Sequence, residues 1–455
     1  MRSAEIFAHH ALQTPFDDMP AAAVAAAKTF ILDTIGVGVA GARVRAAEEV
    51  LRAARLWGSV GVSGGAHVFA RRTRLPAPSA AFVNGFQIHC QEFDCVHEPA
   101  VVHPLATILA ALLAECERGR HIGGAELIAA TCVAVDVSAG LGVAAKAPIK
   151  FFRPANAGLF GATLGIARLR RFSVAQGLDA LGIALAHCSG TMQAHVEGKP
   201  TLPAQIGNAA RAAVMACDLA EAGLSGPHDV FEGPFGFLTL FEGDYDLAPV
   251  LESLGKRWRI AEVSHKPWPI GRAAHGGVRA MQALCARGVT ADRLEELTLT
   301  APPLIKRLVG RPYLAGMNVN YARLCFQYTG AVALLRGDVG LDDFTDAALA
   351  DLDVARLAAK IAVINDGTTD PAAFTPQRAE ARLTTGETVS VTIDRLDGSP
   401  AAPLSREAHL QKFRRCLAFG MGAPRDDLAD ALIGHVDRLE EEMDAGVLAR
   451  LVSGY

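Results

Sequence analysis

Long blocks of apolar and small residues fill the first half of the chain. Between residues 20 and 225 these blocks have helical length and are rich in Ala, Leu, Val and Gly. Several are apolar on nearly every face, as in 105–113, where only Thr107 is polar. Such helices suit the interior of a bundle rather than its surface. The pattern predicts a large all-helical domain with helices at 20–35, 79–93, 104–117, 124–142, 156–169, 174–187 and 206–222.

The pattern changes after Trp268, where apolar and polar residues begin to alternate. Strands are predicted at 294–300, 360–365, 378–383 and 388–394, and a Thr-Thr-Gly-Glu stretch predicts a hairpin between the last two. Further helices are predicted at 271–287, 321–336, 342–358, 405–418 and 426–451. We therefore expect a mainly α protein with two parts. A helical body spans 1–265 and is completed by 401–455, and a smaller α+β lid domain spans 266–400.

Composition adds limits on function. The chain has 455 residues, 51% hydrophobic and 20% charged, which is enough for two or three domains. Its net charge of −4 offers no global basic field for nucleic acid or an anionic membrane, so anions must bind locally. The nine cysteines form no Cys-x-x-Cys pair. Because no apolar run resembles a signal peptide or a membrane span, we expect a cytoplasmic protein.

One glycine-rich stretch imitates a cofactor motif. Residues 36–41 read Gly-Val-Gly-Val-Ala-Gly, which matches the dinucleotide-binding pattern GxGxxG. That pattern needs a preceding strand and an acidic residue about twenty positions on, whereas 20–35 favours a helix and 51–58 holds no acid. We interpret the stretch as small residues at a helix end and predict no cofactor.

A charged or imidazole side chain precedes a proline four times. The pairs are His103-Pro104, Arg153-Pro154, Lys199-Pro200 and Lys266-Pro267. Proline favours the first turn of a helix, where free N–H groups and the helix dipole attract anions. If these helix ends converge, they form a carboxylate or phosphate pocket. The alternative is that each proline simply starts a helix and the neighbouring charge is solvated.

The densest group of titratable residues lies between His89 and His103. It includes Glu92, Asp94 and His97, and helical spacing would place His89 and Glu92 on one face. The group could bind a metal ion, but its spacing matches no recognised ligand motif such as HExxH. We predict no metal site here.

Several segments, in order, resemble the 2-methylcitrate dehydratase (MmgE/PrpD) superfamily. They are Asn84-Gly85, His89, Glu92-Phe93-Asp94, His103-Pro104, Phe160-Gly161-Ala162, Gly207 to Arg211, Lys266 to Pro269 with His275, and Arg323 to Tyr328. The superfamily includes metal-independent dehydratases, cis-aconitate decarboxylases and iminodisuccinate epimerases. The resemblance implies a helical domain with an α+β lid, an active site between them, and a homodimer.

The chain departs from the family pattern at three places. The second acid of the Asp-Phe-Asp-Asp segment is Cys95, and Val96 replaces the hydroxyl residue that follows. Phe-Arg-Pro-Ala at 152–155 stands where many members have Trp-His-Pro-Thr. Leu202 aligns with the family's active-site lysine, and Lys199 is a candidate substitute.

The family's reactions remove or return a proton at a carbon next to a carboxylate, so they need a base, an acid and cations for the developing negative charge. We predict that Asp94, His103 and His275 transfer protons, with Asp94 as the base. The predicted substrate-binding residues are Lys266, Arg153, Lys199, Arg272, His89, Glu92 and Tyr328.

These residues lead to a prediction of a cofactor-independent lyase acting on a small di- or tricarboxylate. A hydro-lyase is the first expectation, and loss of carbon dioxide is possible as well. An epimerase or isomerase of a dicarboxylate such as an iminodisuccinate is the second. The third is a homologue that binds carboxylates without catalysis, which the changes at Arg153 and Leu202 would favour.

Overall fold

The computed structural model describes residues 2–59, 64–370 and 372–453, and it confirms the mainly α class. The first part of the chain is almost entirely helical because its apolar blocks have helical length. Its helices are α1 (Ser3–Gln13), α2 (Ala21–Gly41), α3 (Arg45–Ala54), α4 (Ala77–His89), α5 (Pro104–Cys116), α6 (Gly124–Ala144), α7 (Arg153–Leu169), α8 (Val174–Leu185), α9 (Gln193–Glu197), α10 (Thr201–Glu221) and α11 (Ala248–Ser253). A small hairpin, β1 (Gly65–His67) with β2 (Arg74–Pro76), precedes α4.

The second part contains a four-stranded sheet flanked by helices. Its elements are α12 (His275–Ala286), β3 (Leu294–Ala301), α13 (Pro303–Val309), α14 (Val319–Ala322), α15 (Phe326–Arg336), α16 (Asp346–Leu349), α17 (Leu352–Ala358), β4 (Ile361–Asn365), β5 (Gln377–Leu383) and β6 (Thr388–Ile393). The strand order is β4-β3-β5-β6, with β3 and β4 parallel and the other neighbours antiparallel. β5 and β6 form the predicted hairpin, with Arg382 opposite Thr388.

The chain ends in the helices α18 (Arg406–Met421), α19 (Asp426–Asp437) and α20 (Val447–Val452). One hydrophobic core runs through residues 4–263 and takes in side chains from 413–452, so these last helices pack on the first part. A second core lies within 268–396. We call the first unit the body and the second the lid. Leu324 of the lid packs into the body core, and Val101 of the body packs against the lid core.

The glycine-rich stretch at 36–41 lies within α2 and serves helix packing. A Cβ at Gly41 would lie 1.8 Å from the Gln87 carbonyl oxygen, and one at Gly38 would lie 2.6 Å from the Phe69 ring. Only glycine therefore lets α2 approach α4 and its neighbours this closely.

Three predicted helices are interrupted. The helix predicted over 321–336 breaks at Cys325, which is extended and bridges to Gly310. The one predicted over 342–358 divides into α16 and α17 because Thr345 and Asp351 each cap a new helix start. The one predicted over 426–451 ends at Asp437 because the following backbone turns to hydrogen-bond residues 122–124.

Two of the described helices are long and apolar enough to cross a membrane by length and composition alone. They are α2, 67% buried in its most apolar window, and α6, 94% buried. Core helices of a bundle meet the same criteria, and both of these helices contribute to the body core.

Candidate active site

The chain after α4 folds back on itself. α4 ends at His89, and Glu92 takes a left-handed conformation with φ of +49°, which turns the chain out of the helix. A backbone bridge between His97 and Val102 then reverses the chain direction. As a result, His103 returns to the end of α4.

Asp94 lies between two imidazole rings. Its Oδ2 accepts hydrogen bonds from Nδ1 of His89 and from Nδ1 of His103, each at 3.0 Å. Because an ionised carboxylate only accepts, both Nδ1 atoms carry protons. The side chain of Asp94 is fully buried, whereas that of His103 is 15% exposed. Both rings therefore turn their Nε2 atoms away from Asp94.

The three groups settle into different protonation states. Burial favours a neutral Asp94, but His89 and His103 override it and hold the pKa of Asp94 well below its usual value. Burial lowers the pKa of His89, yet Asp94 and Glu92 more than compensate and the net pKa is raised. For His103 burial prevails over Asp94, and the pKa is lowered. At a pH between the two shifted pKa values, His89 is therefore charged and His103 is neutral.

Lys266 reaches the same cluster through a backbone pairing. Ser264 and Val96 exchange two backbone hydrogen bonds, which lays the segment before Lys266 along the loop. The buried Lys266 Nζ donates to Glu92 Oε2 at 3.0 Å and lies 3.9 Å from Asp94 Oδ1. Burial raises the pKa of Glu92, but Lys266 and the nearby histidines lower it to about 2.

The expectation that Pro267 starts a helix is wrong. The chain from Lys266 to Gly271 is non-helical, and the next α-helix begins at His275. The reason is a second proline, Pro269, which disfavours helical dihedral angles at Trp268.

A cavity with about 590 Å³ of empty space lies between body and lid next to this cluster. Its polar lining residues are His89, Glu92, His103, His195 and Arg272. Most of the remaining lining is apolar: Val96, Val101, Ile149, Phe152, Pro154, Met192, Leu202, Leu308, Val309, Leu324 and Phe374, with Gly271 and Ala273. The cavity is therefore a largely apolar chamber with a titratable cluster on one side.

Three helix starts meet at this cavity. His103 precedes the first residue of α5, Pro154 is the second residue of α7, and Leu202 is the second residue of α10. Their free N–H groups and dipoles favour an anion in the cavity. Three of the four proline-marked segments thus form helix ends at one site, although only His103 brings the predicted polar side chain with it.

Arg272 and His275 occupy successive layers of the lid. Arg272 lines the cavity, and its guanidinium donates to Glu98 Oε1 at 2.8 Å and to the Asp397 carbonyl oxygen at 2.8 Å. His275 lies behind it, 1% exposed, with Nδ1 3.4 Å from Arg272 Nη1 and Nε2 3.3 Å from the Ile270 carbonyl oxygen. Burial, followed by Arg272, lowers the pKa of His275 well below its usual value.

The other predicted site residues lie away from the cavity lining. Arg153 is buried and donates two hydrogen bonds to the carboxylate of Glu242, at 2.8 and 2.7 Å. Lys199 is exposed. Tyr328 is fully buried in the lid core, where its hydroxyl donates to the Asp343 carbonyl oxygen at 2.6 Å. The structure therefore gathers His89, Glu92, Asp94, His103, Lys266 and Arg272 around the cavity, with His275 behind Arg272.

Two residues near the cavity were not among the predicted site residues. His195, on α9, lines the cavity, and Arg311 of the lid donates to its Nδ1 at 3.3 Å. Arg311 precedes a proline, as the predicted cations do, but the stretch after it is not helical, so the helix-start pattern could not single it out.

Two groups in the described part of the chain have donor atoms within 4.8 Å of one another and could hold a metal ion. They are His89 with Asp94 and His103, and Asp33 with His265 and His409. In the first group both Nδ1 atoms already donate to Asp94. Independence from metal ions stays a prediction.

Family models match both parts of the chain: the MmgE/PrpD N-terminal domain over residues 5–249 and the MmgE/PrpD C-terminal domain over 268–433. The chain belongs to the MmgE/PrpD family. It is 29% identical to cis-aconitate decarboxylase of Mus musculus over 94% of this chain and 88% of the relative. Identity to the Homo sapiens cis-aconitate decarboxylase is also 29%, over 94% of this chain and 89% of the relative. A cis-aconitate decarboxylase-like protein, oryM, of Aspergillus oryzae is 26% identical over 96% of this chain and 94% of the relative. These relatives support an enzyme of lyase or decarboxylase type.

Proposed function

We propose that the protein is a lyase that removes carbon dioxide from a small unsaturated di- or tricarboxylate, with cis-aconitate as the first candidate. The supporting observation is the make-up of the cavity, which sets the His89–Asp94–His103 cluster against a mostly apolar lining. Apolar surroundings disfavour a carboxylate relative to neutral carbon dioxide. Carbon dioxide also leaves without taking a proton, whereas a departing hydroxide needs an acid beside it.

The reaction on cis-aconitate balances with a single proton. The bond from carbon to the allylic carboxylate breaks, and its electron pair shifts the double bond along the skeleton. The carbon next to a remaining carboxylate then takes up one proton. One tricarboxylate and one proton give carbon dioxide and methylenesuccinate, so the protein has to supply an acid and stabilise negative charge.

His89 fits the acid. Its raised pKa favours the charged form that can donate a proton, and it lines the cavity. Asp94 then acts by orienting both imidazoles and keeping His89 charged, rather than as the base, because it is fully buried behind them. The starts of α5, α7 and α10 favour the substrate's carboxylates.

An epimerase is the second candidate. The pairing of a charged His89 with a neutral His103 provides an acid and a base in one cavity, and inversion at a carbon needs both, acting on opposite faces of the substrate. The homodimer and the cytoplasmic location that the sequence suggests stay predictions.

A product analysis in deuterated water distinguishes these reactions. The full chain is incubated with cis-aconitate, citrate or 2-methylcitrate and followed by NMR together with a carbon dioxide assay. We expect carbon dioxide and methylenesuccinate in equal amounts, with one deuterium in each product molecule. Alkene formation from citrate or methylcitrate without carbon dioxide would instead identify a hydro-lyase, and exchange with stereochemical change an epimerase.

Two histidine variants compare the effect on turnover of a substitution in the cavity with that of one outside it. His89→Asn should lower turnover by about 10²–10⁴-fold because the acid is lost. His9→Asn, at a half-buried histidine of α1 that hydrogen-bonds Gln13 and lies outside the cavity lining, should not change it. Full activity after chelation would support metal independence, and absence of product or exchange with every substrate would refute the proposal.

A further inference from the structure

The charged side chains of the cavity already have partners of opposite charge. The pairs are Glu92 with Lys266 at 3.0 Å, Arg272 with Glu98 at 2.7 Å, and charged His89 with Asp94 at 3.0 Å. The net charge of each pair is zero, so no pair leaves a full positive charge for an anionic substrate. The helix starts contribute only partial charges.

His195 presents a hydrogen-bond donor to this cavity. It is 7% exposed and lines the cavity, and its Nδ1 accepts a hydrogen bond from Arg311 Nη2 at 3.3 Å. A guanidinium group only donates, so Nδ1 is unprotonated and the ring proton is on Nε2. Burial, followed by the charge of Arg311, lowers the pKa of His195 to about 4, so the ring is neutral at physiological pH.

Arg311 forms no direct ion pair among the described residues, and the acidic group that acts on it, Glu92, already pairs with Lys266. Its guanidinium carbon lies 4.8 Å from the centre of the Tyr321 ring, which holds the group in place. Its Nη1 atom is buried without a hydrogen-bond partner. Across residues 2–59, 64–370 and 372–453, no acidic side chain forms an ion pair with it. Arg311 is half-buried, and a cation that loses hydration without a paired counter-ion is costly, so a bound anion nearby would offset that cost.

We propose that His195 and Arg311 form a carboxylate-binding subsite of this cavity. His195 Nε2–H donates to a carboxylate oxygen, and Arg311 is the positioning residue that fixes the ring tautomer and supplies the charge. The subsite deepens the proposed function and rests on it for the expectation of a carboxylate substrate. The lid thereby contributes to substrate binding through a body residue, which links binding to the contact between the two domains.

Binding of an unreactive ligand tests the subsite separately from catalysis. Propane-1,2,3-tricarboxylate has the carboxylates of cis-aconitate but lacks the double bond, so it cannot lose carbon dioxide by the allylic route. Its dissociation constant is measured by calorimetry on the full chain. We expect Arg311→Met and His195→Leu to weaken binding about tenfold to a hundredfold, since a charge-assisted hydrogen bond is lost. Arg311→Lys and His195→Gln, which keep the charge and an N–H donor respectively, should retain part of the affinity.

Controls make the outcome decisive. Arg356→Met, at an exposed arginine of α17 that pairs with Asp353, should bind as the wild type does. The ratio of wild-type to Arg311→Met affinity should stay constant between pH 6 and 8, since neither group titrates there. Equal affinity in the wild type and Arg311→Met, or no binding to the wild type, would overturn the subsite. Binding with the expected losses but without decarboxylation of cis-aconitate would support the subsite and refute the proposed reaction.

Discussion

Two histidines that share one carboxylate oxygen differ in charge because their other neighbours differ. His89 faces Glu92 in addition to Asp94, with 3.7 Å between its Nε2 and Glu92 Oε1, and its pKa rises. His103 has Asp94 as its acidic neighbour, and burial lowers its pKa. The environment thus separates the pKa values of two identical groups, which is how a site obtains an acid and a base from one residue type.

Replacing Asp94 tests whether its carboxylate sets the protonation of His89. The amide oxygen of Asp94→Asn can still accept hydrogen bonds, but the amide carries no negative charge to keep His89 protonated. We expect turnover to fall about 10²–10⁴-fold. Activity that needs a protonated His89 is lost as pH rises through the pKa of His89. The variant lowers this pKa because it removes the negative charge of Asp94. The alkaline limb of the rate profile should therefore move to lower pH.

Kinetics from pH 5 to 9 provide the measurement. Asp353→Asn, at an exposed carboxylate of α17, serves as the matched control and should keep the wild-type profile. An Asp94→Asn protein with unchanged turnover and an unshifted alkaline limb would show that Asp94 does not set the protonation of His89.

At the scale of elements, glycines determine how closely the body helices pack. The glycines of α2 contact α4, α18 and the chain near Phe69 at distances that leave no room for a Cβ. The glycines at 36, 38 and 41, whose spacing imitates a dinucleotide motif, therefore lie where α2 packs against its neighbours. The helical context and the lack of an acidic residue at 51–58 allowed the sequence to distinguish the two interpretations.

Gly41→Ala should destabilise the body. The added methyl group would meet the Gln87 carbonyl oxygen at 1.8 Å, and a backbone atom inside a helix cannot move aside cheaply. We expect a loss of about 1–3 kcal/mol in the free energy of unfolding, as for other overpacked sites. Gly434→Ala is the matched control, since Gly434 lies in α19 with nothing within 4 Å of its Cβ position.

The control should gain about 0.5–1 kcal/mol through helix propensity. Urea unfolding followed by circular dichroism compares the two variants with the wild type. If both substitutions changed stability by the same amount, close packing of α2 against α4 would not explain Gly41.

At the scale of the whole molecule, the sequence predicted the mainly α class with a helical unit and an α+β unit. It could do so because the spacing of apolar residues indicates which faces of helices and strands are buried. It also picked out His89, Glu92, Asp94 and His103, which lie within fifteen residues of one another and need only local turns to meet. Sequence could not show that Arg153 binds Glu242, because that pairing joins positions 89 residues apart. Arg311 was missed for the same reason: its contact with His195 spans 116 residues.

Buried histidines make the stability of the molecule depend on pH. Burial lowers the pKa of His265 to about 3 and that of His195 to about 4, whereas unfolded histidine titrates near 6.5. Between pH 4 and 6.5 the unfolded chain binds protons that these native residues do not, so stability rises with pH. Glu92, with its lowered pKa, acts in the same direction below pH 4.3. His89 has a raised pKa, and its contribution is lost only as pH rises above 6.5.

We therefore expect the thermal unfolding midpoint to climb from pH 4 to about 6.5 and then to decline slightly as His89 loses its proton. His265→Asn should show a shallower climb, while His9→Asn, at a half-buried histidine of α1, should follow the wild type. Circular dichroism melts across this range give the measurement. A midpoint independent of pH would contradict the neutral state assigned to His195 and His265.

Helix α18, near the end of the chain, contacts the loop after α4 from the side opposite the cavity cluster through Lys412. Lys412 of α18 is buried, lies 2.7 Å from Asp33 Oδ1 of α2, and donates to the Phe93 carbonyl oxygen at 3.0 Å. Phe93 lies between Glu92 and Asp94, so one ammonium group connects two distant helices to the loop that carries the site. The loop's position thus depends on residues near both ends of the chain.

Lys412→Met should cost about 3–5 kcal/mol of unfolding free energy, because it leaves the buried carboxylate of Asp33 without its cation. Asp33→Asn combined with Lys412→Met removes both charges, and the double variant should recover more than half of that loss. It should still turn over substrate more slowly than the wild type, since the Phe93 carbonyl oxygen has lost its donor. Urea unfolding and steady-state rates of the wild type and the two variants measure both effects. A double variant no more stable than Lys412→Met would show that the ion pair is not what joins α18 to α2.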